Sequence, residues 1–225
     1  MERFRPVVLI PAHRESATIR AVVERAAVFA PVIVADDCSP DDTAAQAEAG
    51  GAATFRNSAN LGYEGTLNRL FEEAVSRGYS HAITMDADGE HDPNLLPQFL
   101  DGLGEQGISL VLGVRPRKQR ISEVVMGWYI QRRFGIRDIL CGMKGYDLAL
   151  VAANGGFDTS ASIGTELALN SVRRGARFVQ VPVHGTPRQD APRFDRNIKA
   201  NLRIFTALLN AIHHDAAAPL HETRS

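Results

Sequence analysis

The chain has 225 residues, 44% of them hydrophobic and 23% charged, and 25 Lys and Arg against 26 Asp and Glu give a formal net charge of −1. A chain of this length buries about 70% of the surface that its unfolded form exposes, and the composition excludes disorder, collagen and coiled coil for most of it. The charge balance excludes a global basic field that would draw nucleic acid, so no nucleic-acid partner is expected.

Cys38 and Cys141 lie far apart and form no metal-ligand spacing, which fits a reducing, cytosolic setting better than a disulfide framework. No run reaches the roughly 18 apolar residues that span a bilayer. The start, Met1-Glu2-Arg3-Phe4-Arg5-Pro6, leads into an apolar run too short and too soon interrupted for a signal peptide. The expected location is cytoplasmic, with the inner face of a membrane left open.

Val7-Val8-Leu9-Ile10 is a continuous apolar run of the kind found in strands buried on both faces. Ser16 is placed to cap a helix running to Phe29, with Ile19, Val22, Val23 and Ala26 on its inner face. Val32 to Ala35 reads as a second buried strand. Asp41, Asp42 and Thr43 start a helix that Gly50-Gly51 stop, and Ala53 to Phe55 is a weak strand. Gly62 to Arg77 reads as a helix, His81 to Met85 as a strand, Leu95 to Leu103 as a helix and Ser109 to Val114 as a strand.

The second half is less regular. Ser122 to Phe134 reads as a helix and is followed by a Gly-bearing segment, Cys141 to Gly145. Thr165 to Arg174 reads as a helix, Phe178 to Val183 as a strand, and Thr186 to Phe194 as a loop with Pro and Arg. Asp195 to His213 is a last helix with Ile198, Leu202, Phe205, Leu209 and Ile212 in one stripe. The expected organisation is one domain over 1–215 and a flexible tail over 216–225.

Strand–helix alternation at this spacing predicts βαβ units and a mostly parallel sheet flanked by helices. Right-handed crossovers then bring the strand C-termini to one edge, where open α/β sheets bind ligands. His13-Arg14-Glu15, Asp36-Asp37 and Asp86-Ala87-Asp88 each follow a strand and should share that edge.

Asp86-Ala87-Asp88-Gly89-Glu90 is the first chemical candidate. In a turn permitted by Gly89, Asp86, Asp88 and Glu90 would converge on a hard cation, Mg²⁺ or Mn²⁺, completed by substrate phosphates. The plainer alternative is an exposed acidic turn. Asp36 or Asp37, at a strand end, would accept hydrogen bonds from a base or ribose, whereas Asp41, Asp42 and Thr43 cap a helix. Pro11-Ala12-His13-Arg14-Glu15 is either a nucleotide wall or a simple loop. There is no GxGxxG and no GxxxxGK[ST], so dinucleotide and P-loop readings fail.

In this order and at these spacings, the segments Val8 to Glu15, Val34 to Thr43, Asn60-Leu61-Gly62 and Met85 to Pro93 resemble glycosyltransferase family 2, of GT-A fold. The resemblance is closest to the dolichol- or polyprenyl-phosphate mannose synthase branch and covers roughly residues 6–185. It implies an inverting, metal-dependent transfer of a hexose from a nucleotide diphosphate sugar, GDP- or UDP-linked, to polyprenyl phosphate. By the same resemblance Pro11, Ala12 and Glu15 line the nucleotide pocket, Asp36 and Asp37 lie near base and ribose, and Asp86, Ala87 and Asp88 lie at the diphosphate. Asp86 and Asp88 hold the metal, with Glu90 a further ligand where the branch commonly has Gln. Asp138 to Lys144 resembles the branch's D-x-x-S/C-G-x-R/K segment. Arg115, Arg132 or Arg133, and Arg188 are candidates for an acceptor phosphate.

Glu166 is the other catalytic candidate. Transfer to a hydroxyl needs a general base, which many family members supply from a Glu-Asp pair. Ile163-Gly164-Thr165-Glu166-Leu167 holds only Glu166, which is either that base or a first-turn carboxylate favoured by the helix dipole. A phosphate acceptor, already anionic, needs no base, so the missing pair favours polyprenyl phosphate. The alternatives are a family 2 enzyme with a hydroxyl acceptor, glycan or small metabolite, and a silent sugar-nucleotide-binding protein. Arg196, Lys199 and Arg203 beside the last apolar stripe suggest either a helix packed on the sheet or an interfacial one. The latter would make the protein a peripheral membrane enzyme or give it a membrane partner.

Overall fold

The computed structural model describes residues 4–116, 121–158 and 164–184. The first half alternates as expected: β1 (Pro6–Ala12), α1 (Ile19–Ala26), β2 (Val32–Asp36), α2 (Thr43–Ala49), β3 (Ala53–Arg56), α3 (Gly62–Ser76) and β4 (His81–Thr84). A short 3₁₀ turn at Pro93–Leu95 leads into α4 (Leu96–Gly104), and β5 (Ile108–Val114) follows. Then come α5 (Ile121–Phe134), β6 (Lys144–Asp147), α6 (Ala149–Asn154), α7 (Glu166–Arg173) and β7 (Arg177–Pro182).

The strands form one seven-stranded sheet in the order β3-β2-β1-β4-β6-β5-β7. All neighbouring pairs are parallel except those of β6, which runs antiparallel to both β4 and β5. Because β6 reverses between them, β4 and β5 point the same way. The C-terminal ends of β1, β2, β4 and β5 therefore share one edge.

Side chains alternate across a strand, and the two faces bury two separate cores. Val7 and Leu9 of β1 with Ile33 and Ala35 of β2 pack against Leu67, Leu70 and Phe71 of α3. Val8 and Ile10 with Val32 and Val34 pack against Ile19, Val22 and Val23 of α1, and Leu96 and Phe99 of α4 join that face. Helices on both faces explain why Val7 to Ile10 of β1 and Val32 to Ala35 of β2 are apolar without a break.

α1 begins three residues after Ser16, because the Thr18 and Ile19 amides donate to the Glu15 carbonyl at 3.1 and 2.9 Å. It closes at Ala26, beyond which Phe29 N–H turns back onto the Ala26 carbonyl at 3.0 Å. Two elements were not expected. β6 carries Lys, Gly and Asp, poor strand formers, and is held by pairing on both sides. α6 is six residues long and ends at Gly155, whose φ of 79° only glycine adopts freely. The loop at 186–194 with Arg188, the helix at 195–213 and the tail at 216–225 lie outside the described residues.

Candidate active site

The ends of β1, β2 and β4 enclose a pocket of about 370 Å³, lined by Pro11, Ala12, His13, Glu15, Asp37, Asn60, Gly62, Tyr63, Thr66, Asp86, Ala87 and Asp88. Each wall is fixed by hydrogen bonds from its neighbour. After β1, Arg14 adopts φ 60°, its amide donates to Ser39 Oγ at 3.0 Å, and the Glu15 amide donates to Thr43 Oγ1 at 2.9 Å. His13 Nδ1 lies 2.9 Å from the Asp37 carbonyl. Thr18 Oγ1 donates to the Ala87 carbonyl at 2.9 Å and lies 3.2 Å from Glu15 Oε2. These contacts tie the first wall to the second and to the acidic turn.

Asp36 and Asp37 part ways at the end of β2. Asp36 is fully buried and does not line the pocket. Its Oδ1 accepts the Ser39 amide at 3.1 Å, and Arg56 Nε lies 3.4 Å from Oδ2. Asp37 does line it, and its carboxylate also serves α3. Oδ1 accepts the Leu61 amide at 2.7 Å and Asn57 Nδ2 at 2.9 Å, and Oδ2 accepts the Gly62 amide at 2.9 Å. An anion on the first amides of a helix satisfies donors the helix cannot satisfy itself and meets the positive end of its dipole.

After β4 the chain turns through Gly89 at φ 79°, and Asp86 and Asp88 face the pocket. Tyr63 Oη donates to Asp86 Oδ1 at 3.4 Å, and the loss of water around that hydroxyl together with the Asp86 charge pushes the phenol above its usual range, while the residue as a whole stays 39% exposed. On the far side, His91 is buried, with Nδ1 3.6 Å from Asp86 Oδ2 and 3.1 Å from the Asp86 amide, which donates to it. Burial opposes a charged imidazole. Asp86, Cys141 and Asp88 outweigh it and push the ring up to about 9. The amide contact belongs to the neutral ring with its proton on Nε2, and the Oδ2 contact to the charged one.

Asp88 Oδ1 accepts the Glu90 amide at 3.0 Å, and Glu90 does not line the pocket. Among the described residues no three His, Cys, Asp or Glu side chains converge on a metal position. Asp86, Asp88 and Glu90 therefore form no three-carboxylate cage here. What the turn offers is two carboxylates beside open space. That donor set fits Mg²⁺ or Mn²⁺, which commonly take one or two carboxylates and fill the remaining positions with water and phosphate oxygens.

The remaining candidates stand apart from the pocket. Arg115 forms a fork onto Asp138, Nε to Oδ2 at 2.7 Å and Nη2 to Oδ1 at 3.0 Å, with Glu123 Oε2 3.5 Å away. Glu166 opens α7, and its Oε1 accepts Asn154 Nδ2 at 3.3 Å. Arg132 and Arg133 close α5 on the surface. Arg188 lies outside the described residues. Asn60, Tyr63 and Thr66 carried no role in the sequence reading. The signal was present, since Asn60-Leu61-Gly62 opens a helix, and Tyr63 and Thr66 sit one turn apart on the face that follows.

Comparison with known proteins places these features. The sequence model described as "Glycosyl transferase family 2" matches residues 7–137. The polyprenol monophosphomannose synthase of Mycolicibacterium smegmatis is 27% identical over 216 residues, covering 82% of this chain and 78% of that protein. The undecaprenyl-phosphate mannosyltransferase of Micrococcus luteus is 26% identical over 209 residues, covering 80% and 83%. Among solved structures, glucosyl-3-phosphoglycerate synthase from Mycobacterium tuberculosis with Mn²⁺, UDP and glucosyl-3-phosphoglycerate superposes with a TM-score of 0.76 at 21% identity. That match covers 92% of this chain and 79% of the other.

Proposed function

The chain belongs to glycosyltransferase family 2 and has the GT-A fold, and on that premise we propose that it moves a hexose from a nucleotide diphosphate sugar to polyprenyl phosphate with inversion, in the presence of Mg²⁺ or Mn²⁺. The observation that carries the reading is the placement of Asp86 and Asp88 across one pocket from Pro11, Ala12, Glu15 and Asp37. The two named mannosyltransferase relatives, similar over about four-fifths of the chain, supply the acceptor class.

Pro11 and Ala12 give the nucleotide an apolar wall, and His13, Glu15 and Asn60 give it polar edges. Asp86 and Asp88 are the residues that would hold the divalent cation, which when bound offsets the charge gathering on the departing diphosphate. Tyr63 aims the Asp86 carboxylate and closes the pocket beside it. In the reaction, an oxygen of the acceptor phosphate forms a bond to the anomeric carbon from the face opposite the diphosphate. The bond from that carbon to the diphosphate oxygen breaks, and the nucleoside diphosphate leaves with the electron pair. No proton has to be removed from an acceptor that is already anionic. Glu166, the base that a hydroxyl acceptor would require, is held by Asn154 and does not line the pocket, which supports the phosphate acceptor. Arg115, locked between Asp138 and Glu123, orders the start of α5, and the candidates left for the acceptor phosphate are Arg132, Arg133 and Arg188.

The test is a transfer assay with purified protein, Mg²⁺ or Mn²⁺, and labelled GDP- and UDP-sugars, with and without a short polyprenyl phosphate. Label extracted into organic solvent only when the lipid phosphate is present supports the reading. Donor hydrolysis without lipid labelling would move the acceptor to a hydroxyl, and no donor turnover with any sugar or metal would leave a binding protein.

A further inference from the structure

We infer that Thr18 is a positioning residue of the cation site, whose hydroxyl sets the peptide between the two carboxylates that would hold the metal. Thr18 stands at the N-cap of α1, where a threonine ordinarily turns its oxygen onto the first amides of its own helix. Here it makes no such bond. Its Oγ1 donates instead to the Ala87 carbonyl, 69 residues on, at 2.9 Å. The hydroxyl has one proton. The other acceptors within reach, Glu15 Oε2 at 3.2 Å and the Glu15 carbonyl at 3.3 Å, are farther away. Ala87 is therefore the partner the geometry favours.

The contact belongs to a stripe along α1. Thr18 meets Ala87, Val22 backs Gly89, where a methyl would stand 3.9 Å from Val22 Cγ2, and Arg25 pairs with Asp92. Positions 18, 22 and 25 are four and three apart and share one face of the helix, and residues 87, 89 and 92 run beside them in the same order. Ala87 is 3% exposed and packs in the core with Ile19 and Val22. The acidic turn thus lies lengthwise on α1.

Of these contacts, the one from Thr18 reaches the backbone between Asp86 and Asp88. Arg25 and Asp92 form a half-exposed pair of the kind that contributes little, and Val22 offers contact without direction. A hydrogen bond has a direction, so Thr18 fixes which way the Ala87 peptide, and with it the Asp88 carboxylate, is turned. The Thr18 amide also donates to the Glu15 carbonyl at 3.1 Å, so one residue joins the nucleotide wall to the acidic turn. A site with two carboxylates relies on their spacing, since Mg²⁺ demands near-ideal octahedral geometry. Groups that orient metal ligands from behind are worth about 10- to 100-fold in metal affinity. The inference rests on the reading of Asp86 and Asp88 as the cation's ligands and is independent of the acceptor.

The test is calorimetry of Mn²⁺ binding to the full-length protein in the presence of GDP or UDP, with no acceptor. Thr18→Val keeps the branched shape and removes the hydroxyl, and it should weaken Mn²⁺ binding about tenfold. Thr18→Ser keeps the hydroxyl and should keep most of the affinity. GDP or UDP titrated without metal should bind both variants and the unmodified protein alike, and their far-UV circular dichroism should coincide. Mn²⁺ bound as tightly by Thr18→Val as by the unmodified protein would overturn the role of Thr18 and leave Asp86 and Asp88 as ligands. Equal losses in Thr18→Ser and Thr18→Val would overturn it too, because the hydroxyl would not be the cause. A matching loss of metal-free nucleotide would do the same, as the mark of a damaged wall rather than a displaced turn. Mn²⁺ that fails to bind the unmodified protein with either nucleotide would sink the cation reading of the pocket, and the role of Thr18 with it.

Discussion

Gly142 presses against Asp86 so closely that a methyl group on its α carbon would lie 2.7 Å from Oδ2 and 3.0 Å from Oδ1. The approach is fixed from β4, where Thr84 Oγ1 donates to the Gly142 carbonyl at 2.7 Å. The same methyl would meet His91 Cε1 at 3.0 Å; His91 is buried, so the neighbour that can yield is the Asp86 carboxylate at the pocket. Gly142→Ala is therefore expected to push the Asp86 carboxylate out of place. Misplacing a group at a reacting centre by about 1 Å costs on the order of 100-fold. Steady-state kinetics should show a loss of about 10- to 100-fold in kcat/KM, with a thermal midpoint close to that of the unmodified protein.

Asp88 faces the pocket with its Oδ1 on the Glu90 amide. Asp88→Asn preserves shape and that contact but removes the charge. It should lower kcat by about 100-fold or more and weaken Mn²⁺ binding by calorimetry. Chelation of divalent ions should abolish transfer in the unmodified protein, and added Mn²⁺ or Mg²⁺ should restore it. Activity that survives both treatments would remove the cation from the mechanism.

Asp37 serves the fold as well as the pocket. Removing its carboxylate leaves the Leu61 and Gly62 amides and Asn57 Nδ2 without their acceptor. Asp37→Ala should destabilise the protein by about 2–3 kcal/mol, read from urea unfolding. A variant that lost activity at full stability would show that this carboxylate acts only on substrate.

The Arg115–Asp138 fork carries a pH signature. Burial on its own would raise the Asp138 carboxyl, but the hydrogen bonds and charge of Arg115 outweigh it and hold the group below its ordinary 3.8. A group whose folded value is depressed contributes stability that is present above its unfolded value and lost as pH falls through the folded one. Asp138→Asn should therefore cost about 2–4 kcal/mol at neutral pH. The gap to the unmodified protein should close as pH drops below 3.8. Urea midpoints measured from neutral pH downward check it.

Glu166→Gln separates the two acceptor classes. With polyprenyl phosphate as acceptor, transfer should stay within about threefold of the unmodified rate, since no proton is removed. Loss of about 100-fold or more, the scale of general-base catalysis, would assign Glu166 as base and the acceptor as a hydroxyl.

β1 and β2 were legible because they are buried on both faces and announce themselves as apolar runs, whereas β3, at the sheet edge and only partly buried, was the weakest signal. Residues that follow such runs fall at one edge by topology alone, and so Glu15, Asp37, Asp86 and Asp88 could be gathered before any coordinates. β6 was hidden because its four residues, Lys144 to Asp147, owe their extended form to β4 and β5 rather than to their own preference. The division of labour between Asp36 and Asp37 was equally hidden. Adjacent residues on a strand point to opposite faces, and only the partners present at each face decide which carboxylate meets Arg56 and which meets α3. Arg115 read as a phosphate ligand because a guanidinium after a strand is indistinguishable in sequence from one already claimed by a carboxylate 23 residues on.

The reversed strand β6 also sets the order in which the protein can be made. As the chain leaves the ribosome, β1 to β4 can pair as they appear, each with a neighbour already synthesised. β5 emerges with no partner: its two neighbours, β6 and β7, lie downstream. The open side of β4 waits for β6 as well, at a separation of some 60 residues for the Thr84–Lys144 pair. Such long-range closures are slow, and bare strand edges invite pairing with other chains. Until Asp147 is in place the nascent protein is two fragments of sheet with three unsealed margins, and the four residues of β6 weld them into one.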